Sequence, residues 1–250
     1  MIKLKSKAEI EIMREGGRRL REVMKELMPL VKVGTSTNEI DKTAEELIIK
    51  HGGESSFKKV PGYDWTTCLP INEQVVHTPP SKRILEEGDV LTIDIGMYYK
   101  GFHTDYADTI IIGKSKNKQV SHFLEVGKKA LYKAIDQARA GNRLGAISKI
   151  IEQEIYGNGY KILKDLTGHG IGRDLHEDPY VFGFLDRPVE KTIPIQPGLV
   201  IAIEVIYSMG AEEFRHETND GWSVITEDKS MSACFEDTVA ITEKETIVLT

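Results

Sequence analysis

Two apolar, strand-like segments carry a carboxylate at the same place, and no other feature limits the possible folds of this chain as much. Gly88-Asp-Val-Leu-Thr-Ile-Asp94 and Gly198-Leu-Val-Ile-Ala-Ile-Glu204 align at an offset of 110 residues, acid on acid. The helical segments ahead of them repeat too. Gly34, Ile40, Ala44 and Gly52 correspond to Gly141, Ile147, Ile151 and Gly159 at an offset of 107. Two segments keeping nearly one offset make chance likeness between strands the weaker explanation, so the pattern reads as a duplicated unit with approximate internal symmetry. An unpaired acid in such a run is costly. The run from Leu199 to Tyr207 is too short to span a membrane, so Glu204 is placed on a buried strand.

Five oxygen or imidazole donors punctuate the later two-thirds of the chain: Asp94, Asp105, His169, Glu204 and Glu236. Four carboxylates and one imidazole meeting at one point repel each other unless cations sit among them, which points to a paired divalent-metal site. The first two are placed by local pattern. Val, Ile, Leu and Tyr dominate residues 90–98, and Lys100-Gly101 follows, which reads as one arm of a hairpin. A turn centred on Tyr99-Lys100 makes paired positions sum to 199 and sets Asp94 directly opposite Asp105. Their Cβ atoms are then expected about 5 Å apart, a destabilising pair unless a cation reverses the sign. Such a pair suits two metals about 3.5–4 Å apart.

The rest of the chain is expected to be α+β, with helices on one face of an antiparallel sheet. Helical spacing runs from Ser6 to about Leu30, and Ser36-Thr-Asn-Glu39 is a capping box for a helix closing at Gly52-Gly53. Strands and turns follow over 54–113, a helix pair over about 120–156, and strands and loops to Thr250. A length of 250 residues fits one catalytic domain, 1–250, built of two related halves at about 1–115 and 116–250. The net charge of −6 argues against a nucleic-acid binder, and the basic N-terminal face from Lys3 to Arg21 is explained by solvation of the first helix. The N-terminus has no apolar core of signal-peptide length, and Cys68 and Cys234 are two and far apart. Both facts point to a reducing cytoplasm, with no membrane partner.

Gly168-His169-Gly170-Ile171-Gly172 surrounds an imidazole with residues lacking side chains, which lets backbone and ring approach a ligand closely. His77 and His176 stand in distinctive contexts, Val75-Val-His-Thr-Pro-Pro80 and His176-Glu-Asp-Pro179. Imidazoles near a metal can bind a carbonyl and handle protons, although a histidine taken alone is more often a packing or surface residue. His51, His103, His122 and His216 have no comparable context.

These residues together resemble the type I methionine aminopeptidases over nearly the whole chain. The stretches that carry the resemblance are Ile71-Asn-Glu-Gln-Val-Val-His77, Ile93-Asp94 with Gly101-Phe-His-Thr-Asp105, Gly168-His-Gly-Ile-Gly-Arg173, and Asp220-Gly-Trp-Ser-Val-Ile-Thr226 leading to Glu236. The resemblance implies a pita-bread fold, pseudo-twofold in agreement with the internal repeat. It implies removal of N-terminal methionine from nascent chains with a small second residue, by metal-activated water attack on the first peptide bond. It further implies that Asp94 holds one metal, that His169 and Glu204 hold the other, and that Asp105 and Glu236 bridge both. Glu204 is then also the proton shuttle, His77 contacts substrate near the scissile amide, and His176 stabilises the tetrahedral intermediate. Tyr63, Cys68, Leu175 and Trp222 align with the methionine pocket, with Phe57 and Val60 beside them. Asn72 and Ser232 match positions of a monovalent cation. Carboxylate-rich ligation tolerates Fe, Mn, Co or Zn. A transient ribosome contact is among the partners the resemblance allows.

Some positions depart from the pattern: Leu175 stands where an aromatic is frequent, Val205 where proline is, Cys234 where glutamine is, and Asp237 where histidine is. All five ligands remain. The alternatives are a proline-directed peptidase of the same fold, disfavoured by length because such enzymes usually carry an added N-terminal domain and here the catalytic pattern starts almost at once, and a non-catalytic binding protein on it, disfavoured by the intact ligands. A type II enzyme needs an insertion between the later ligands, and the 28 residues from His176 to Glu204 leave no room for one.

Overall fold

Twice along the chain, a helix pair is followed by strands that enter one sheet. The computed structural model describes residues 1–114, 117–217 and 220–250. Helix α1 is Lys7–Leu27 and α2 is Thr37–Lys50, and each starts at a serine whose hydroxyl accepts from the amide three residues on while that residue's Glu carboxylate accepts from the serine amide. This reciprocal capping satisfies two otherwise orphan donors per helix. The first helix stops short of the expected Leu30, because Met28–Leu30 tightens into a 3-10 turn around Pro29. Helices α3 (Lys118–Ile135) and α4 (Leu144–Gly157) form the second pair.

The early strands are β1 (Glu54–Ser55), β2 (Thr67–Cys68), β3 (Gln74–Val76), β4 (Val90–Tyr99) and β5 (Phe102–Ile111). The later ones are β6 (Lys161–Ile162), β7 (Thr167–Gly170), β8 (Glu177–Phe182), β9 (Val200–Ser208), β10 (Phe214–His216), β11 (Val224–Thr226), β12 (Ser232–Ile241) and β13 (Thr246–Val248). The main sheet runs β1-β4-β5-β12-β9-β7-β8, with β2 on β4, β6 on β9 and β13 on β12, and its pairings are antiparallel. Strands β10, β11 and β3 form a separate small sheet.

Period-two alternation explains how acids came to lie in apolar strands. Ile93 and Ile95 pack with Leu20, Val23, Ile40 and Ile48 of α1 and α2. Later in the chain Ile203, Val205 and Phe235 pack with Phe123, Ile147 and Ile151 of α3 and α4. Successive strand residues point to opposite faces, so Asp94, Glu204 and Glu236 turn away from these helix-covered cores. Each fully buried Ile or Leu adds about 1.5–3 kcal/mol, which fixes the register and with it the side on which the acids emerge.

The early and later strands join at β5 and β12 through a short ladder, Glu236 with Ala107 and Asp237 with Tyr106. Threonines extend it at both ends in a twofold manner. The Thr109 hydroxyl donates to Cys234 O at 2.6 Å and accepts from Cys234 N at 3.1 Å, while Thr238 donates to Asp105 O at 2.8 Å and accepts from Asp105 N at 2.9 Å.

The β4–β5 hairpin corrects the expected register. Asp94 pairs with Ala107 and Asp105 with Gly96, so the two acids are diagonal neighbours on one face and not directly opposed. The turn is Lys100-Gly101, not Tyr99-Lys100. Both residues take positive φ, 48° and 89°, as a two-residue type I′ turn requires, and glycine fits its second position without strain. No helix among the described residues is long and apolar enough to cross a membrane.

Candidate metal centre

Five adjacent strands each deliver one donor to the same side of the sheet. In spatial order they are Asp94 on β4, Asp105 on β5, Glu236 on β12, Glu204 on β9 and His169 on β7. Glu236 and Glu204 are direct cross-strand partners, and His169 pairs with Ala202, two residues from Glu204. The opposed carboxylate pair therefore exists, but between β12 and β9. Donor atoms of Asp105, His169 and Glu236 lie within 4.8 Å of one another. His169 Nε2 is 3.6 Å from Glu204 Oε1. Asp94 stands at the edge of this group, its strand position paired with Cys68 of β2.

Burial sets the electrostatics. It lifts Asp105 to about 7, and it lifts Asp94, Glu204 and Glu236 well above the usual carboxylate range, with the negative charges of their neighbours adding to the effect. His169 is driven down to about 3 by burial and by nearby His176, so its ring is neutral. Its Nδ1 lies 2.9 Å from Gly170 O, and a carbonyl can only accept, so the proton sits on Nδ1. Nε2 is left with a lone pair facing Glu204, the arrangement a ligating imidazole needs. Among the described residues no lysine or arginine forms an ion pair with any of the four acids, and Glu236 Oε1 is buried without a hydrogen-bond partner. A hard cation bound by oxygen and imidazole fits this donor set, since it supplies the missing positive charge.

A pH dependence follows. In the chain without metal, Asp105, raised from 3.8 to about 7, contributes stability that is full below 3.8 and is lost as pH climbs through about 7. Metal replaces those protons, so the rise in Tm on adding a divalent ion is expected to be larger at pH 7.5 than at pH 5. Melting curves of chelated and reloaded protein across this range test it, and a rise that is flat or shrinks with pH contradicts it.

A cavity of about 480 Å³ opens onto the cluster, lined on one side by Phe57, Val60, Tyr63, Cys68, Leu175 and Trp222. Every residue expected in the side-chain pocket is therefore on its wall. Tyr63 anchors that wall: its hydroxyl donates to Thr67 O at 2.8 Å, and its ring meets Trp222 edge to face at 5.1 Å. Asp41 Oδ1 accepts from the amides of Thr66 and Thr67, both at 2.9 Å, and fixes the segment bearing Cys68. His77 and His176 line the cavity as well. The His176 ring lies 4.4 Å from that of His169. Burial lowers both of these histidines, His77 to about 4. His77 is held at a φ of 58°, a left-handed conformation that costs about 1–3 kcal/mol and recurs where a side chain must be aimed. Asn72, also at a φ of 58°, offers its carbonyl to Ser232 N at 2.8 Å, so the two residues expected at a monovalent cation are in contact.

The family model for metallopeptidase family M24 matches residues 11–243. A methionine aminopeptidase of Clostridium perfringens is 39% identical over 251 residues, covering 100% of this chain and 99% of that protein. This chain belongs to metallopeptidase family M24, within its methionine aminopeptidases. The solved methionine aminopeptidase of Thermotoga maritima superposes with a TM-score of 0.95 at 32% identity, covering 100% of this chain and 99% of that one. A Pyrococcus horikoshii prolidase shares the fold at a TM-score of 0.78 and 23% identity, and 99% of this chain covers only 63% of it.

Within this M24 site the departures have definite places. Cys234 is buried two residues from Glu236 and lines the cavity, whereas Asp237 turns to the other face, where its Oδ1 lies 3.4 Å from the Thr250 hydroxyl. Val205 lies in the helix-covered core, and Leu175 keeps its pocket position. The sequence did not reveal the further apolar lining of Val76, Leu166 and Ile206, or the bracing role of Asp41. Val76 stood next to a histidine already singled out, but nothing local marked the others.

Proposed function

We propose that the chain removes N-terminal methionine from nascent polypeptides whose second residue is small, in a single catalytic domain of two related halves, about 1–115 and 116–250. The observation that carries this reading is one cavity walled by sulfur, aliphatic and aromatic groups on one side and by the five-donor cluster on another. Asp94, Asp105, His169, Glu204 and Glu236 would hold two divalent ions drawn from Fe, Mn, Co or Zn. Ions there supply Lewis-acid polarisation of the scissile carbonyl and a water of lowered pKa.

The chain's own groups do the rest. Tyr63, Cys68, Leu175 and Trp222 bind the thioether side chain, with Phe57 and Val60 completing the wall. Glu204 takes the proton of the attacking water and passes it to the departing amine as the C–N bond breaks. His77 contacts the substrate beside that amide. His176 donates to the carbonyl oxygen as charge grows there. Asn72 and Ser232 are assigned to a monovalent cation that braces the segment leading to His77. Reaction in the cytoplasm, with transient contact to the ribosome, is consistent with nascent chains as substrates.

A bulky second residue would crowd the donor cluster, so Met-Ala-Ser is expected to be cleaved far faster than Met-Leu-Ser. Equal release from the two would remove the size rule, and preference for Ala-Pro-Ser would move the chain to proline-directed cleavage.

A further inference from the structure

The segment that bears His176 is tied down by the N-terminal residues of the chain, 172 positions away in sequence at its central contact. Glu177 Oε2 accepts from Lys5 Nζ at 2.6 Å, and the two side chains are only 2% and 5% exposed. Glu177 Oε1 accepts from the amides of Arg173 and Asp174 at 2.9 and 3.2 Å. One carboxylate thus closes the loop between His169 and β8, and a single lysine neutralises it. Two outer pairs flank this bond, Lys3 with Asp174 at 2.7 Å and Arg173 with Glu9 at 2.9 Å. The Lys5 amide also donates to Gly198 O at 2.7 Å, just before the strand that carries Glu204. Gly172 makes room for the arrangement: a Cβ there would lie 2.3 Å from Lys5 Cε and 2.7 Å from Nζ.

A surface ion pair would have little consequence, but this one is buried, and removing one partner strands the other charge away from water. The stranded group would be the carboxylate next to His176. Relieving it requires Glu177 to move toward solvent, which shifts the neighbouring imidazole relative to the ring of His169.

Resting on the reaction proposed above, we propose that Lys5 is a positioning residue for His176, acting through the buried carboxylate of Glu177. A residue that only supports the fold should lower activity whether or not His176 is present. One that acts through His176 should matter only when the imidazole is there. The experiment is a double-mutant cycle on the metal-loaded enzyme with Met-Ala-Ser. Lys5→Met is expected to lower kcat about tenfold, as loss of an orienting partner commonly does, with KM and bound metal unchanged. In a His176→Ala background the same change is expected to cost less than about twofold. Gly172→Ala, which intrudes on the ammonium, is expected to reproduce the loss and serves as the variant of record if Lys5→Met does not fold.

An equal loss in both backgrounds, an effect confined to KM, or an unchanged kcat overturns the proposal. A parent enzyme that cleaves Met-Ala-Ser while Lys5→Met is unimpaired sinks this inference alone. A parent that releases no methionine with any divalent ion sinks the proposed reaction, and this inference falls with it.

Discussion

Asp105→Asn is expected to give a folded protein that releases methionine at least about 10³-fold more slowly, since metal stabilisation of transition-state charge is worth several kcal/mol and each 1.4 kcal/mol is tenfold in rate. The substitution keeps the shape of the side chain and the main-chain hydrogen bonds that place it, Thr238 and Thr250 donating to Asp105 O at 2.8 and 3.0 Å. What changes is the charge at the donor that shares a 4.8 Å cluster with His169 and Glu236. In the proposed arrangement Asp105 would help to hold both ions, and without its charge neither would keep its full set of anionic ligands. Bound metal and turnover measured on one sample check this. A variant with two ions bound and normal turnover would show that Asp105 is not the shared ligand.

His176→Ala should leave the metals in place. Its ring meets that of His169 edge-on, and burial favours its neutral form, so it can donate a hydrogen bond without adding positive charge to the site. A donor whose bond strengthens only as the carbonyl oxygen becomes negative acts in the transition state, and its loss lowers kcat more than it raises KM. The expected penalty is about 10²–10³ in kcat, with KM for Met-Ala-Ser near normal. Steady-state kinetics with metal analysis decide the matter. Loss of an ion would make His176 a ligand, and unchanged turnover would make it a loop residue of no catalytic consequence.

Three of the five candidate donors are legible because each breaks a local rule. Asp94 and Glu204 interrupt apolar runs, and His169 sits among glycines. Their mutual geometry was less legible. Moving the hairpin turn by one residue turns Asp94 and Asp105 from opposed to diagonal neighbours, and the observed turn places Gly101, which takes positive φ without strain, at its second position. Because paired positions shift by two between these registers, the acids lie on one face in either. The real opposed pair, Glu204 and Glu236, joins strands 32 residues apart in sequence, and no local periodicity encodes that pairing. The tie from Lys5 to Glu177 was hidden for the same reason: a lysine near a helix start reads as a solvated charge until the fold buries it.

The most direct test of the central claim is a metal titration of chelated protein, following methionine release from Met-Ala-Ser with Ala-Pro-Ser as the comparison. The expected result is no release after chelation, return of release as Fe, Mn, Co or Zn is added toward two equivalents, and a clear preference for Met-Ala-Ser. Undiminished release from the chelated protein, or a preference for Ala-Pro-Ser at every metal, would contradict it.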